Sequence, residues 1–473
     1  MGDRGHGRGR EPATRPKEPR GRGRTAAKSN DDPGRAKTQV AGRAPGQNSP
    51  KKEPVQRGDP GERTAVRANT TGRKGKDQPD HRQGRQDQPN PRQARQDQPD
   101  PRQARQDQPV HRRNSLKPVY ERLKLKMKDI SNAADKVNGI VKVIIDKLSD
   151  REPLFKGMER MSTGSYYEGM KISRPNEFDI MLKIPISDHQ RIGLTEFGGS
   201  GAFYTLSCKR SVVDYGMNKY VDDHGNISAI KILTQLRKLV NEAVSGRPVS
   251  IKRRNPSSPA LTLIIENKPT NIDVDLVIAL EIRQSWPANT KDGMNIDSWL
   301  GRKVKRDFKF FPFYMVPKKC NDGNTTNDTW RISFSHIEKE ILTNHGSSKT
   351  CCEADGEKCC RKQCLKLLKH LLELLKNNGK QRRKLDKFCS YYAKTALLHH
   401  CAQYPKDEDW KLEDLDVCFN RYVQFFQLCL KKACLPNFFI PSHNLFNLES
   451  VDCNLLYDQI DDQIKHNYPL FHL

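Results

Sequence analysis

Apolar residues recur at helical spacing from Leu116 onward. Val119, Leu123, Met127, Ile130, Val137, Ile140, Val141, Ile144, Ile145 and Leu148 form a stripe that runs up to Arg151, interrupted near residues 131–134. The spacing predicts one long, bent helix. The period then shortens. Residues 178–184, Phe-Asp-Ile-Met-Leu-Lys-Ile, carry the aromatic and β-branched content of a strand, as do residues 203–206, 261–265 and 272–280. Beyond residue 330 dense apolar stripes return at helical spacing over 365–375, 385–399 and 418–430. Strands first and helices later predict a mixed α/β lobe followed by a helical lobe.

Ahead of this body the apolar pattern is missing. Residues 1–115 contain no Leu, Ile, Phe, Trp or Tyr, so nothing there offsets the entropy of ordering the chain, and a disordered tail is expected. Asp-Gln-Pro recurs in it at Asp77, Asp87, Asp97 and Asp107, usually with Arg-Gln-x-Arg between. Repeats without an apolar residue larger than Ala do not stack as a solenoid, whereas regularly spaced arginines can neutralise phosphates without reading sequence. Residues 1–116 hold 28 bases against 14 acids, or +14 of the formal +27, which leaves 27 − 14 = +13 on the body. Tail and body are both basic, and this points to a polyanion, nucleic acid or an anionic membrane surface, as partner. No apolar run approaches the ~18 residues of a membrane span, and the start MGDRGHGRGR lacks a signal-peptide core, so a soluble, intracellular protein is expected. All 13 cysteines follow residue 207, an odd number without a secretory signal, which argues for reduced thiols and metal binding rather than a disulfide framework.

The first chemical signal is Thr163-Gly164-Ser165, followed by Glu177-Phe178-Asp179. Side chains alternate along a strand, so Glu177 and Asp179 project to one face. Ile272-Asp273-Val274-Asp275-Leu276 repeats the arrangement on a second apolar strand. If the two strands are neighbours, carboxylates converge, and their repulsion calls for divalent cations with oxygen ligands. The pattern suits two-metal phosphoryl transfer, with the Gly-Ser turn letting the backbone approach a triphosphate. Acid-x-acid pairs on exposed strand faces and Gly-Ser turns are each common, and only their combined order carries the argument.

A second cluster gathers His345, Cys351, Cys352, Cys359, Cys360 and Cys364 in a basic, turn-rich segment. Thiolates and one imidazole suit tetrahedral zinc in a closed, structural site. Spacing leaves open which four of the six are ligands, and Cys364 in a leucine-rich helix reads as a core thiol.

Gly-Ser, then Glu-x-Asp, then a strand Asp resembles the nucleotidyltransferase superfamily of polymerase-β type. Longer phrases narrow the likeness: Ser162-Thr163-Gly164-Ser165-Tyr166-Tyr167-Glu168, Pro175-Asn176-Glu177-Phe178-Asp179, the run from Thr329 through Arg331, Ser335 and Glu338 to Glu340, and Asn344-His345-Gly346. Over roughly residues 116–473 the chain resembles the cyclic GMP-AMP synthase family within the Mab21/nucleotidyltransferase superfamily. The fold implied is α/β and bilobal: a polymerase-β-like lobe with a mixed β-sheet and a long N-terminal spine helix at 116–330, then a helical Mab21-like lobe at 331–473 with a zinc thumb at 345–360. The activity implied is a DNA-activated enzyme that joins ATP and GTP into cyclic GMP-AMP, with 2′–5′ and 3′–5′ bonds, in innate antiviral sensing.

The same resemblance implies residue roles. Glu177, Asp179 and Asp275 would hold two Mg2+ or Mn2+ ions, and His345, Cys351, Cys352 and Cys359 one structural zinc. Gly164, Ser165, Lys369 and Ser390 would meet phosphates, Tyr391 would stack on a base, and Thr163, Arg331 and Ser335 would read guanine, with Lys318 and Glu338 also at the nucleotide. Lys124, Lys126, Lys128, Lys252, Arg253, Arg254, Lys366 and Lys369 would contact double-stranded DNA or the second subunit of a homodimer, Lys369 thus having two candidate roles. Arg191 and Arg210 would tether the protein to nucleosomes, and location in both cytoplasm and nucleus is implied. The chain departs from the family at Ser162, Gly169, Arg174 and residues 187–202, and Asp273 rivals Asp275. Two other readings compete: an oligoadenylate-synthase-like enzyme activated by duplex RNA, against which the zinc insertion counts, and a non-catalytic Mab21-like nucleic-acid-binding scaffold, against which the intact acids count.

Overall fold

The fold is that of a computed structural model, which describes residues 115–172, 176–186, 192–208, 216–253, 258–320, 328–353, 356–378, 382–446 and 452–473. The basic tail with its repeat, Arg174, Arg191, Arg210 and Arg254 lie outside the described residues, as does the side chain of Lys128.

The N-terminal stripe forms two helices, α1 (Lys117–Arg122) and α2 (Met127–Arg151). The break falls at residues 123–126, not at 131–134 as the sequence pattern suggests. Ala133, Val137, Val141, Ile144 and Leu148 make one continuous buried stripe on α2, which runs unbroken through residues 131–134. The two stripes are in phase, Val119 and Val137 lying 18 residues or five helical turns apart, so periodicity alone would let one helix bury both. Instead α1 packs on the C-terminal lobe: the Leu116 N–H donates to Asp416 Oδ1 at 2.8 Å and Arg122 to the Phe471 carbonyl at 2.8 Å.

The α/β lobe contains α3 (Gly164–Tyr167), α4 (Ala229–Val244), α5 (Arg302–Lys309) and a single sheet. Its strands are β1 (Glu159–Thr163), β2 (Glu177–Pro185), β3 (Ile192–Phe197), β4 (Phe203–Cys208), β5 (Val249–Ile251), β6 (Ala260–Ile265), β7 (Ile272–Ile282), β8 (Phe313–Pro317) and β9 (Trp330–Ser333). Among the described residues the order is β1-β2-β7-β8-β9-β4-β3, with β6 also on β7 and β5 on β6. Among the described residues only β2 and β7 run parallel, and the other pairs are antiparallel. Helix α2 packs on α4 and α4 on β5 and β8, α4 burying Ile232, Leu236, Leu239 and Val240 and starting at Ser228, whose Oγ accepts from the Lys231 N–H.

The helical lobe comprises α6 (Ser335–Thr343), α7 (Arg361–Asn378), α8 (Arg382–Leu385), α9 (Ser390–Gln403), α10 (Leu415–Lys431) and α11 (Cys453–Lys465). Strands precede helices as the sequence pattern predicts. The apolar run over 385–399 is not one helix, however. Phe388 is buried in a turn and Cys389 is extended (φ −89°, ψ 158°), so α9 begins only at Ser390. Among the described residues no helix is long and apolar enough to cross a membrane.

Because Ile144 is fully buried on the inner face of α2, Ile144→Ala should cost about 2–5 kcal/mol and lower the urea midpoint clearly. Lys142→Ala, on the exposed side of the same helix, should stay within about 0.5 kcal/mol.

Candidate functional site

Parallel pairing sets Glu177 opposite Asp273 and Asp179 opposite Asp275. Opposed residues of a parallel pair face the same side, so four carboxylates share one face. On β7 the alternation is clean: Ile272, Val274 and Leu276 are buried on one side while Asp273 and Asp275 look out on the other. Burial, then the charges of Asp275 and Glu168, raise the Asp179 carboxyl to about 6. Asp275 Oδ1 accepts from Thr262 Oγ1 at 2.5 Å. The other two acids have ammonium partners, Lys171 on Glu177 and Lys252 on Asp273, the latter at 2.6 Å. An acid that burial and its neighbour resist ionising, set in a carboxylate group, is a donor set that a divalent cation would relieve, so these residues fit magnesium.

The Gly-Ser turn rests against this group. Gly164 has φ +77°, and a Cβ there would overlap the Asp179 carboxylate, so a glycine is required twice over, by conformation and by contact. Three bonds fix the turn: Lys339 Nζ donates to the Ser162 carbonyl at 3.0 Å, Tyr166 Oη to the Ile130 carbonyl of α2 at 2.7 Å, and Lys394 Nζ to Glu168 at 3.0 Å.

A cavity of about 440 Å3 opens between the turn and the helical lobe. Thr163, Gly164, Ser165 and Asp179 line one wall, and Arg331, Ser335, Glu338, Lys369, Ser390 and Tyr391 line the rest. The break before α9 is what brings Ser390 and Tyr391 here. Arg331 makes no ion pair among the described residues, so the structural pairing that rivals its nucleotide role is absent there. Tyr391 keeps its ring on the cavity while its hydroxyl donates to Glu338 at 2.9 Å and accepts from Asn437 at 3.1 Å. Lys318, half-buried, is lowered to about 8 by burial and then by the charge of Arg331. It stands beside the cavity rather than in its lining.

Glu168, Lys171, Lys394 and Asn437 escape the sequence reading. Burial opposes the charge of Lys394, but Glu338 at 2.6 Å and Glu168 hold its ammonium above the ordinary value. It thereby ties the Gly-Ser turn to α6 and α9. The available signal was its position one helical turn past Tyr391, and Glu168 stood in the quoted Tyr-Tyr-Glu phrase.

The second cluster forms between α6 and α7. The ligand atoms of His345, Cys351, Cys352 and Cys359 lie within 4.8 Å of one another. His345 Nδ1 faces the Leu342 carbonyl at 2.9 Å and must donate to it, which leaves the buried Nε2 without a hydrogen-bond partner. Mutual contact holds the Cys351 thiol far up and the Cys352 thiol far down. A bare imidazole nitrogen among three crowded sulfurs fits a tetrahedral ion, and the set could hold zinc. Cys360 and Cys364 are fully buried in the core instead, which reduces six candidates to four. Around the cluster, Trp299 Nε1 donates to the His345 carbonyl at 2.8 Å, and buried Arg361 pairs with Asp407 at 2.7 Å. Asp407 in turn accepts from the Ser347 and Ser348 N–H groups.

The expected DNA contacts divide. Lys124 and Lys366 meet over the Tyr120 ring, 5.3 and 5.9 Å from its centroid, where α1 lies on α7, and Lys126 is exposed beside them. Arg253 is exposed, while Lys252 is held by Asp273. Lys369 departs from this group. It is 7% exposed, donates to the Met170 carbonyl at 2.8 Å and lines the cavity rather than the outer surface. Burial, then Lys171, lowers it to about 8.

Residues 166–344 match the Mab-21 protein nucleotidyltransferase domain and residues 360–462 the Mab-21 protein HhH/H2TH-like domain. Fold and site together define a nucleotidyltransferase of the Mab-21 class. The chain is 45% identical to cyclic GMP-AMP synthase of Sus scrofa over 361 residues, 75% of this chain and 72% of that one. It is likewise 45% identical to cyclic GMP-AMP synthase of Mus musculus over 365 residues, 76% and 70% of the two chains. A cyclic GMP-AMP synthase-like receptor of Magallana gigas is 28% identical over 322 residues, 66% of this chain and 50% of the relative. The chain belongs to the cyclic GMP-AMP synthase family.

If the His-Cys cluster binds its ion as the geometry allows, the purified chain should carry about one zinc per molecule by atomic absorption, and Cys352→Ser should lose it together with several degrees of melting temperature. Full zinc occupancy in Cys352→Ser would place the ion elsewhere.

Proposed function

We propose that the chain is an enzyme activated by double-stranded DNA that converts ATP and GTP into cyclic GMP-AMP, with one 2′–5′ and one 3′–5′ bond and loss of two pyrophosphates. Its role is innate immune and antiviral sensing of DNA in cytoplasm and nucleus. The observation that carries the chemistry is the parallel register that gathers Glu177, Asp179 and Asp275 on one face, with Gly164 pressed against Asp179 beside the cavity.

In this reading those three acids hold two magnesium or manganese ions, which supply hydroxyl activation and charge neutralisation at the leaving pyrophosphate. Asp275 is taken as the third acid rather than Asp273, because it lies directly opposite Asp179, the acid against which Gly164 is pressed, whereas Asp273 lies opposite Glu177. Gly164 and Ser165 receive the donor triphosphate, and Lys369 and Ser390 meet phosphates from the opposite wall. A base stacks on Tyr391, whose ring Glu338 and Asn437 orient through its hydroxyl. Thr163, Arg331 and Ser335 read guanine, and Lys318 adds positive charge next to Arg331.

Activation starts on the surface around Tyr120. Lys124, Lys126 and Lys366, with the zinc thumb and Arg253, contact duplex phosphates, so binding depends on length and salt more than on sequence. Two copies assemble on the DNA. Lys128, Arg254 and the nucleosome-tethering Arg191 and Arg210 belong to the same reading. The route to the site runs through the Tyr166 hydroxyl, which bonds α2 to the Gly-Ser turn: DNA that prefers one position of α2 shifts the population of the turn.

Incubating the zinc-loaded full chain with ATP, GTP and magnesium, with duplex DNA, duplex RNA or neither, tests the reading by chromatography of the products. A cyclic dinucleotide is expected only with DNA. Product with RNA alone would overturn the activator, and no product under any condition would leave a binding scaffold. Asp275→Asn should abolish product while gel retention of DNA persists. Gly164→Ala should lower the rate by about 100-fold or more, since the added methyl displaces a positioned group.

A further inference from the structure

Four carboxylates occupy the face of β2 and β7, one more than the proposed reaction uses. Asp273 lies opposite Glu177 in the parallel register and two residues before Asp275 on the same side of β7. Its Oδ2 holds the Lys252 ammonium at 2.6 Å. Lys252 directly follows β5 and leads into the exposed Arg253, at the start of the basic loop. One of that loop's charges is therefore held by the acid beside the cation-binding group. Asp275 and Glu177 act on the same ammonium, after Asp273 itself. The pair is open to solvent, with side chains 46% and 36% exposed, so competing ions can reach both partners.

We propose that the Lys252–Asp273 ion pair is a latch coupling polyanion binding on the basic loop to divalent-cation affinity at Glu177, Asp179 and Asp275. The proposal rests on the reading of that loop as a contact for duplex DNA. A phosphate that takes the Lys252 ammonium leaves Asp273 charged and without its counter-ion. The field at the adjacent acids then becomes more negative, and a divalent cation binds more tightly. Linkage requires the reverse effect too, a bound cation loosening Lys252 for a phosphate. Removing either charge alters cation affinity through space whatever the pair does, tighter without the ammonium and weaker without the carboxylate. The latch adds that DNA alone reproduces the first change and needs Asp273 to do so.

The test is Mn2+ binding, read from the free-ion electron paramagnetic resonance signal of the zinc-loaded full chain, with and without duplex DNA and with the uptake by DNA alone subtracted. Wild type should bind Mn2+ about tenfold more tightly once DNA is present. Lys252→Gln should show the tight value without DNA and no further change with it, and Asp273→Asn the weak value under both conditions. Lys252→Gln no tighter than wild type without DNA, or a full DNA-induced gain in Asp273→Asn, would overturn the latch. Gel retention on the same samples separates the two levels: a wild-type chain that fails to retain DNA overturns the DNA reading, whereas in chains that retain it the DNA-induced gain of wild type against that of Asp273→Asn judges the latch itself. Both side chains are solvent-exposed, and a thermal melt of each variant confirms that it is folded.

Discussion

The parallel pairing of β2 with β7 is the constraint on which the rest depends. One register decides that Glu177 meets Asp273 and Asp179 meets Asp275, and a slip of either strand by one residue would turn its two acids into the apolar interior. The apolar alternation prevents that slip, since Phe178, Ile180, Val274 and Leu276 are all buried on the opposite face. Core packing thus concentrates negative charge at one place. Burial, and after it the charge of Asp275, raises the carboxyl of Asp179, while Lys171 and Lys252 bring ammonium groups to the neighbouring acids.

What surrounds the acids makes the place usable. Gly164 removes the side chain that would collide with Asp179, so a backbone turn lies directly against the acids. Its supports come from far apart in sequence: Ile130 on α2, Lys339 on α6, and Lys394 on α9 through Glu168. Lys394 is buried between two acids, Glu168 and Glu338, and a buried charge with two satisfied partners gives the turn a fixed position relative to the helical lobe. Anything that displaces α2 or the helical lobe is therefore felt at the turn, and this is the physical content of linking a surface event to catalysis.

Much of this was legible in the sequence because the strands bury one face only: alternating acids and aliphatics at 177–184 and 272–276 declare both the strand and its polar side. Register was not legible, so four acids looked like two pairs with an undecided third ligand. The break at 123–126 was hidden because the two stripes share one phase, Val119 and Val137 being five helical turns apart, and the start of α9 was hidden because Leu385 and Phe388 continue an apolar pattern through a turn. Spacing also cannot tell which thiols face a shared centre; packing does, by sending Cys360 and Cys364 into the core. Lys369 shows the same limit. A lysine among leucines on α7 has no sequence mark that says whether it meets solvent or lines a cavity.

The account stands or falls on whether those carboxylates grip common cations. Crystals grown with a non-hydrolysable ATP analogue and manganese, measured at the manganese absorption edge, give the most direct answer. Two anomalous peaks, each about 2.0–2.2 Å from oxygens of Glu177, Asp179 or Asp275 and beside the analogue's phosphates, are the predicted result. Manganese bound elsewhere, with those oxygens coordinating nothing, would contradict it.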